Sequence, residues 1–355
     1  MAVSAGTAAA LMAGLAACKK EEEPTDTTEP TDTTEPTDTT PVATTQIITD
    51  HGGDQVEVPL TINKICDLWH AHNQVILMLG AADKLVGTTQ NFKNRKWAQY
   101  VFPGLADVEA LVVGSGAGEV NYEETLNLEP DVVFASSASV IEGCRQYGLA
   151  ALNVSFQDYD GLRSNVAITG QVLGGEAQTR ANAWKELLDS NINLVAERMK
   201  GVDDANKKRV LHIVNASSFT KVDGTDCIVD EWIKLAGGVN ALSQAGNMID
   251  VSMEDIVDAD PEVIIIGGGG EAGVKALMAE EAWSGITAVK NGAVYANPGG
   301  VFAWDRYSGE EALQVIWAAK FFNPDLFADI DIVQVVKDFY KQFYDCDLST
   351  DQANL

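Results

Sequence analysis

The sequence predicts an α/β protein built of two lobes joined through one long helix, and three observations carry that expectation. Short β-rich runs alternate with helix-like segments from about residue 64 to 156. Apolar residues then recur at helical intervals, with no strand signal, from Leu162 to about Met199. After that the strand-and-helix alternation begins again at Arg209. Strands that alternate with helices imply a mostly parallel sheet, covered on both faces.

In chain order, residues 1–18 read as a lipoprotein signal and lipobox. The run Ala2 to Ala17 is apolar and small. It is long enough for a signal core but shorter than the roughly 20 residues of a spanning helix. It ends in Leu15, Ala16, Ala17 and Cys18, so Cys18 is the expected acylated N-terminus of the mature protein. No Lys or Arg precedes the run, a departure from the usual basic n-region. Residues 19–45 follow as a tether, in which TDTTEP occurs twice and TDTTP once. Thr, Pro and acidic residues offer no apolar face to bury, so this stretch is expected to be disordered and extended.

The N-terminal lobe spans 46–160. Its expected strands are Lys64 to Leu68, Leu85 to Thr88, Val132 to Ser136 and Leu152 to Phe156. Its helices include Asn73 to Leu79, stopped by Gly80, and Asn121 to Leu128, stopped before Pro130. Residues 161–200 form the bridging helical segment, with Gly174 and Gly175 as its point of bending. The C-terminal lobe, 201–355, should contain strands at Arg209 to Val214, Val263 to Ile266 and Ala293 to Tyr295. Its expected helices lie at Ile228 to Leu235 and Met253 to Val257, and Glu310 to Phe322 with Ile332 to Phe343 close the chain.

The chain has 52 acidic and 24 basic side chains, and eight of the acids with two lysines fall in the tether. The body therefore keeps 44 acids against 22 bases, a net charge of −22. Such a surface repels phosphate backbones, so nucleic acid is not an expected partner. Four cysteines besides Cys18, namely Cys66, Cys144, Cys227 and Cys346, match no metal-ribbon spacing. Two disulfides and four small buried thiols are both compatible with the spacing, and no bridge is assigned.

Four segments together resemble a known family: LMLGAADKLVGTT (Leu77 to Thr89), VNYEETLNLEPDVVFAS (Val120 to Ser136), VSMEDIVDADPEVIII (Val251 to Ile266) and WDRYSGEEALQVIWAAKFFNPDLF (Trp304 to Phe327). In order and spacing the body resembles the class III periplasmic binding proteins, which serve ABC importers of iron-siderophore, haem, cobalamin and related chelates. The resemblance implies two doubly wound lobes, a single bridging helix and a ligand cleft between the lobes. It also implies that Glu123 and Glu254, one per lobe, meet arginines of a permease.

Ligands of open α/β sheets bind at loops on the carboxyl ends of the strands. The first such loop reads Trp69, His70, Ala71, His72, Asn73, where the family usually has small polar residues. The tryptophan could stack on a macrocycle, and His70 and His72 are candidate metal ligands. The same rule adds Asn91, Phe92 and Trp97, then Phe219 and Lys221, then Trp304, Arg306 and Tyr307. Arg306 is the expected contact for ligand oxygens because its fork fits oxyanions bidentately.

Three enzyme-like signals are weaker. His70 and His72 at a strand end suggest a metal-dependent hydrolase, but only His51 and His212 remain as further histidines. Gly268, Gly270 and Gly273 satisfy G-x-G-x-x-G without the acidic residue that a dinucleotide site needs at the next strand end, and Gly114, Gly116 and Gly118 fail at the third glycine. No nucleophile elbow occurs. The expected function is thus not enzymatic, with no cofactor of the protein's own. A monomeric, lipid-anchored receptor on the outer face of the cytoplasmic membrane, or in the periplasm, would pass a metal chelate to an ABC permease and its ATPase. A bare transition metal, with His70, His72 and His212 as ligands, or a molybdate-type oxyanion is the alternative cargo.

Overall fold

Two six-stranded sheets, one in each half of the chain, organise the computed structural model, which describes residues 43–114 and 119–354. Cys18, the segment 1–18, the tether up to residue 42, Gly116 and Gly118 lie outside the described residues.

A hairpin of β1 (Thr45–Thr49) and β2 (Gln55–Pro59) opens the body. Its turn is built on buried Asp50, whose Oδ1 accepts the Gly52 and Asp54 amides. The other carboxylate oxygen takes Arg145 Nη2 at 2.9 Å and the Asn153 amide at 3.0 Å, pinning the hairpin to the first lobe.

The N-terminal sheet follows. It is made of β3 (Ile65–Asp67), α1 (Asn73–Met78), β4 (Leu85–Thr89), α2 (Gln90–Lys93), α3 (Lys96–Val101), β5 (Glu109–Val113), β6 (Glu119–Val120), α4 (Tyr122–Asn127), β7 (Val132–Ala135), α5 (Ala138–Gln146) and β8 (Ala151–Asn153). Strand order is β6-β5-β4-β3-β7-β8, parallel except for the edge strand β6. Strand residues are sorted by parity. Ile65, Val132 and Phe134 enter the main core, while Cys66, Val133 and Ala135 enter a cluster on the opposite face. A sheet covered on both sides explains why these runs are continuously apolar.

The connection between lobes is a pair of helices, α6 (Tyr159–Leu173) and α7 (Gly175–Arg198), the second being the long one at 24 residues. Gly174, at φ 66°, caps both of them, so the expected bend is a full break there.

The second lobe contains β9 (Arg209–Asn215), β10 (Ser218–Asp223), α8 (Ile228–Leu235), β11 (Val239–Asn240), β12 (Ile249–Asp250), α9 (Met253–Ala259), β13 (Val263–Ile266), α10 (Gly270–Ala279), α11 (Thr287–Lys290) and β14 (Val294–Ala296). Its sheet runs β12-β10-β9-β13-β14, with β11 beside the start of β9. Parity sorts its side chains as well, with Val263 and Ile265 on one face and Ile264 and Ile266 on the other.

Helices α12 (Glu311–Phe322), α13 (Ile332–Tyr344) and α14 (Thr350–Ala353) close the chain. Ten of the twelve residues of α12 are buried, which an apolar helix permits only when it is enclosed. One core therefore joins Val75 of α1, Trp184 of α7, Trp232 of α8 and Ile316 of α12. The described residues form a single compact unit around it. All four described cysteines are free thiols.

Candidate functional site

Chain direction across each sheet fixes where a ligand can sit. In the first sheet the chain moves outward from β3 to β4 and β5, then returns to the other side of β3 with β7 and β8, so the order reverses between β3 and β7. The crevice at such a reversal, beyond the carboxyl ends of the strands, is the usual site in open α/β sheets. A cavity of about 100 Å³ lies there, lined by Leu68, Trp69, His70, Ser136, Ser137 and Val140. In the second sheet the reversal falls between β9 and β13. The backbones leaving those strands are pressed together. A Cβ at Gly267 would stand 2.8 Å from the Val214 carbonyl, so only glycine fits.

The 68–73 loop is held rigid from behind. Buried Asp67 accepts the Trp69 amide at 3.1 Å and contacts His72 Nδ1 at 2.7 Å, while His72 Nε2 lies 2.9 Å from the Thr169 hydroxyl of α6. Burial pushes the Asp67 carboxyl up from its ordinary value, and His72 pulls the other way. Asn73 donates to the carbonyls of Asp67 and Trp69 and accepts from Thr88 at 2.6 Å. The expected roles of His72 and Asn73 as cleft wall are therefore corrected. They are 1% and 0% exposed, have their polar atoms engaged, and act as the scaffold of the loop.

Trp69 and His70 project from that scaffold. Trp69 packs on Phe156 at 5.5 Å and on Tyr307 at 5.9 Å, and Phe156 meets Tyr307 at 5.7 Å, so three aromatic rings close one end of the site. The Tyr307 hydroxyl lies 3.3 Å from both Gln157 of the first lobe and Asn247 of the second, tying the lobes together. His70 faces Phe302 at 5.6 Å. The Arg95 guanidinium lies over the other aromatic contact of this group, 3.8 Å from the Phe302 centroid. Burial, then the Arg95 charge, push the His70 pKa down to about 4, so its ring is neutral at physiological pH.

Arg95 differs from every other arginine of the chain. Arg145, Arg163, Arg180, Arg198, Arg209 and Arg306 each pair with a carboxylate. Among the described residues Arg95 has no ion pair, and its Nε is buried without a hydrogen-bond partner. A cation and a neutral imidazole beside an aromatic wall make a site for an anion.

Arg306, expected to contact ligand oxygens, is engaged elsewhere. Its Nη2 donates to Asp223 at 2.7 Å, and its Nε lies 3.3 Å from Asp305. His212 Nδ1 is 2.8 Å from the same Asp223, and its Nε2 is 3.2 Å from Asp305 in ion-pair range but off the line of a hydrogen bond. Burial works against charge on His212, yet the two carboxylates outweigh it and hold its pKa above the ordinary 6.5. Burial likewise opposes ionisation of Asp223, but His212 and Arg306 bring it down to about 2. Two cations and two carboxylates thus neutralise one another beneath the segment that presents Tyr307.

Residues 70–299, more than half of the chain, match the family model described as periplasmic binding protein. The chain belongs to the periplasmic binding protein family. Among its relatives, the molybdate-binding protein MolA of Haemophilus influenzae is 26% identical over 335 residues, covering 87% of this chain and 93% of MolA. The solved structure of MolA bound to molybdate aligns with a TM-score of 0.73 at 23% identity, covering 86% of this chain and 99% of that one. An uncharacterised ABC transporter substrate-binding lipoprotein of Bacillus subtilis, YvrC, is 26% identical over 255 residues, covering 70% of this chain and 76% of YvrC. A periplasmic solute-binding protein of Veillonella parvula shares the fold at a TM-score of 0.77 and 24% identity, covering 87% of this chain and 96% of that one.

In this periplasmic binding protein the remaining expected site residues are scattered. Phe92 and Trp304 are core side chains, at 0% and 1% exposure. Trp97 packs edge-on against Tyr340 of α13 at 5.7 Å, and Phe219 packs on Trp283 at 6.1 Å within the second lobe's own core. Asn91 is exposed on α2, and Lys221 sits on β10 opposite Asp250. His70, His72 and His212 do not converge, and among the described residues no group of three His, Cys, Asp or Glu is placed to hold a metal ion. No described helix is long and apolar enough to cross a membrane.

Sequence reading missed Arg95, Phe156, Gln157, Ser136 and Ser137. The two serines directly follow β7, so the rule that singled out the loop after β3 would have found them. Arg95 carried no such signal, because a basic residue in NFKNRKW reads as a solvated face.

Proposed function

We propose that this chain is the receptor of an ABC importer and that its cargo is an anionic, metal-containing solute held between the Trp69–His70 loop and the 302–307 segment. The observation that carries the reading is Arg95, a cation that has no ion pair among the described residues and lies over Phe302, where its charge acts on His70. The aromatic wall of Trp69, Phe156 and Tyr307 suits a chelate such as an iron-siderophore or haem. A molybdate-type oxyanion is the second reading, favoured by the cavity of about 100 Å³ and by the cargo named for MolA. Glu123 and Glu254 would face the permease, and Cys18 would carry the lipid that keeps the receptor beside its transporter. The protein performs no chemistry on its cargo in this reading.

Calorimetric titration of the full chain with ferric siderophores, haem, cobalamin and sodium molybdate tests the cargo. Arg95→Ala should weaken the cognate anion at least tenfold, since a hydrogen bond to a charged group contributes about 1.5–3 kcal/mol. Binding of a sugar or a peptide instead, or an unchanged affinity in Arg95→Ala, would sink the anion reading. Palmitate labelling of the wild type but not of Cys18→Ser checks the anchor.

A further inference from the structure

The chain carries one unit twice. Val120 to Val133 (VNYEETLNLEPDVV) and Val251 to Ile264 (VSMEDIVDADPEVI) match without a gap, one in each lobe. Their structures match closely, with the leading strands offset by one residue. A two-residue antiparallel strand, β6 ending one residue or β12 two residues earlier, precedes Asn121 or Ser252, whose side chain accepts the amide of Glu124 or Asp255 and starts α4 or α9. Each helix is followed by a left-handed acidic residue, Glu129 at φ 50° and Asp260 at φ 36°. Then come Pro130 or Pro261 and an acid that accepts an amide at the start of a central strand of its sheet: Asp131 from Lys64 just before β3, Glu262 from Arg209, the first residue of β9. Thr125 and Ile256 occupy the same buried position, both at 0% exposure.

Exposed positions repeat too, and burial cannot explain them. Glu123 and Glu254 are exposed and make no ion pair or hydrogen bond among the described residues. One turn further on the same helix face stand Leu126 and Val257, at 42% and 51% exposure. Single exposed apolar residues are ordinary on protein surfaces. An acid with an exposed aliphatic neighbour at the same place on both lobes is not accounted for by either lobe's own fold. It fits a partner that offers a basic contact with an apolar floor twice.

We propose that Leu126 and Val257 are the apolar anchors of a two-point docking face, one point on each lobe, and that the membrane-embedded subunits of the importer occupy it. This rests on the receptor reading above. Exposed ion pairs contribute little affinity, so the two acids orient the complex. Removing a Leu or Val side chain from water is worth on the order of tenfold in affinity or more, so the aliphatic pair holds it.

Photo-crosslinking in producing cells tests the face without knowledge of the cargo. Benzoylphenylalanine placed in the full chain at position 126 or 257 should crosslink to a permease subunit identified by mass spectrometry. The same probe at Leu326, also exposed but outside the repeat, should not. The double variant Leu126→Ser, Val257→Ser should bind membranes of those cells at least tenfold more weakly, with cargo affinity unchanged. Crosslinks to the permease from positions 123 and 254 but not from 126 and 257 would overturn the apolar anchors and leave the receptor reading standing. No permease crosslink from any of the four would remove both. Crosslinks between two copies of this chain would make the face a dimer contact and overturn the proposal.

Discussion

His212→Gln isolates the charge balance beneath the cleft. The wild-type cluster sets Arg306 and His212, whose pKa the carboxylates raise above 6.5, against Asp223 and Asp305, all buried. Glutamine keeps a polar side chain but removes one positive charge, leaving one cation against two carboxylates. The variant either buries the excess charge or protonates one carboxyl, and the second route caps the cost. For a carboxyl of ordinary pKa 3.8 at pH 7, protonation costs about 4 kcal/mol, at roughly 1.4 kcal/mol per pKa unit. That agrees with the ~3–5 kcal/mol lost when one partner of a buried ion pair is removed. At pH 5 the cap falls below about 2 kcal/mol.

The wild type responds to pH differently. His212, with a folded pKa above 6.5, contributes stability that is whole below 6.5 and lost as pH rises through the folded value. Asp223, held at about 2, contributes stability that is whole above 3.8 and lost as pH falls toward 2. Between about pH 4 and 6.5 the wild-type cluster is therefore insensitive to pH. Urea unfolding of both proteins at pH 5, 6 and 7 should show a gap that widens by roughly 2–3 kcal/mol over that range. A gap that is constant across the three values, or under about 1 kcal/mol at pH 7, would mean that His212 is neutral in the fold and would refute the pairing.

Glu310, whose Oε2 accepts the Phe302 amide, is pushed by burial up to about 8 from 4.5, so the fold loses stability as pH rises between those values. Glu310→Gln should therefore gain about 3 kcal/mol at pH 7 relative to its effect at pH 4, and a stability difference between variant and wild type that is equal at both pH values would contradict this. The His70 ring should show no NMR titration between pH 5.5 and 8 and should protonate only near pH 4; a midpoint near 6.5 would place it in open solvent. Trp184→Ala should cost about 3–5 kcal/mol by emptying the core at α7 and freeing the Gly309 carbonyl that Trp184 Nε1 holds at 2.7 Å; a loss under 1 kcal/mol in urea unfolding would show that the helix is not fixed there.

Strands β3, β7, β9 and β13 were legible because burial on both faces demands unbroken apolar runs. Val263 to Ile266 was expected and found with the same ends. The helix at 73 was found one residue shorter, and the one at 121 begins after Asn121, which is its cap. The hairpin β1–β2, the edge strands β6, β11 and β12, and the interior strands β5 and β10 were not expected, being short or half-exposed and lacking an unbroken apolar run. Of the expected site residues, Trp69 and Tyr307 come together, with His70 next to Trp69 in the same loop. Phe92, Trp97 and Trp304 look the same in sequence and went to the core, because an aromatic ring in a loop serves packing as readily as binding.

Composition and periodicity alone determined an acidic body that disfavours nucleic acid, two α/β lobes and a helical connection, since each follows from local spacing and summed charge. The repeated unit on the two lobes was also present in the sequence, one copy matching the other without a gap. Only the tertiary structure decided which charged groups are free. Arg306 and Arg95 are indistinguishable as residues, but strands 9 and 10 and the 297–310 segment bring His212, Asp223 and Asp305 around the first and leave the second facing Phe302 and His70. Charge pairing depends on distances of a few ångströms between residues far apart in the chain, 83 positions for Arg306 and Asp223, and no local pattern in the chain encodes those distances.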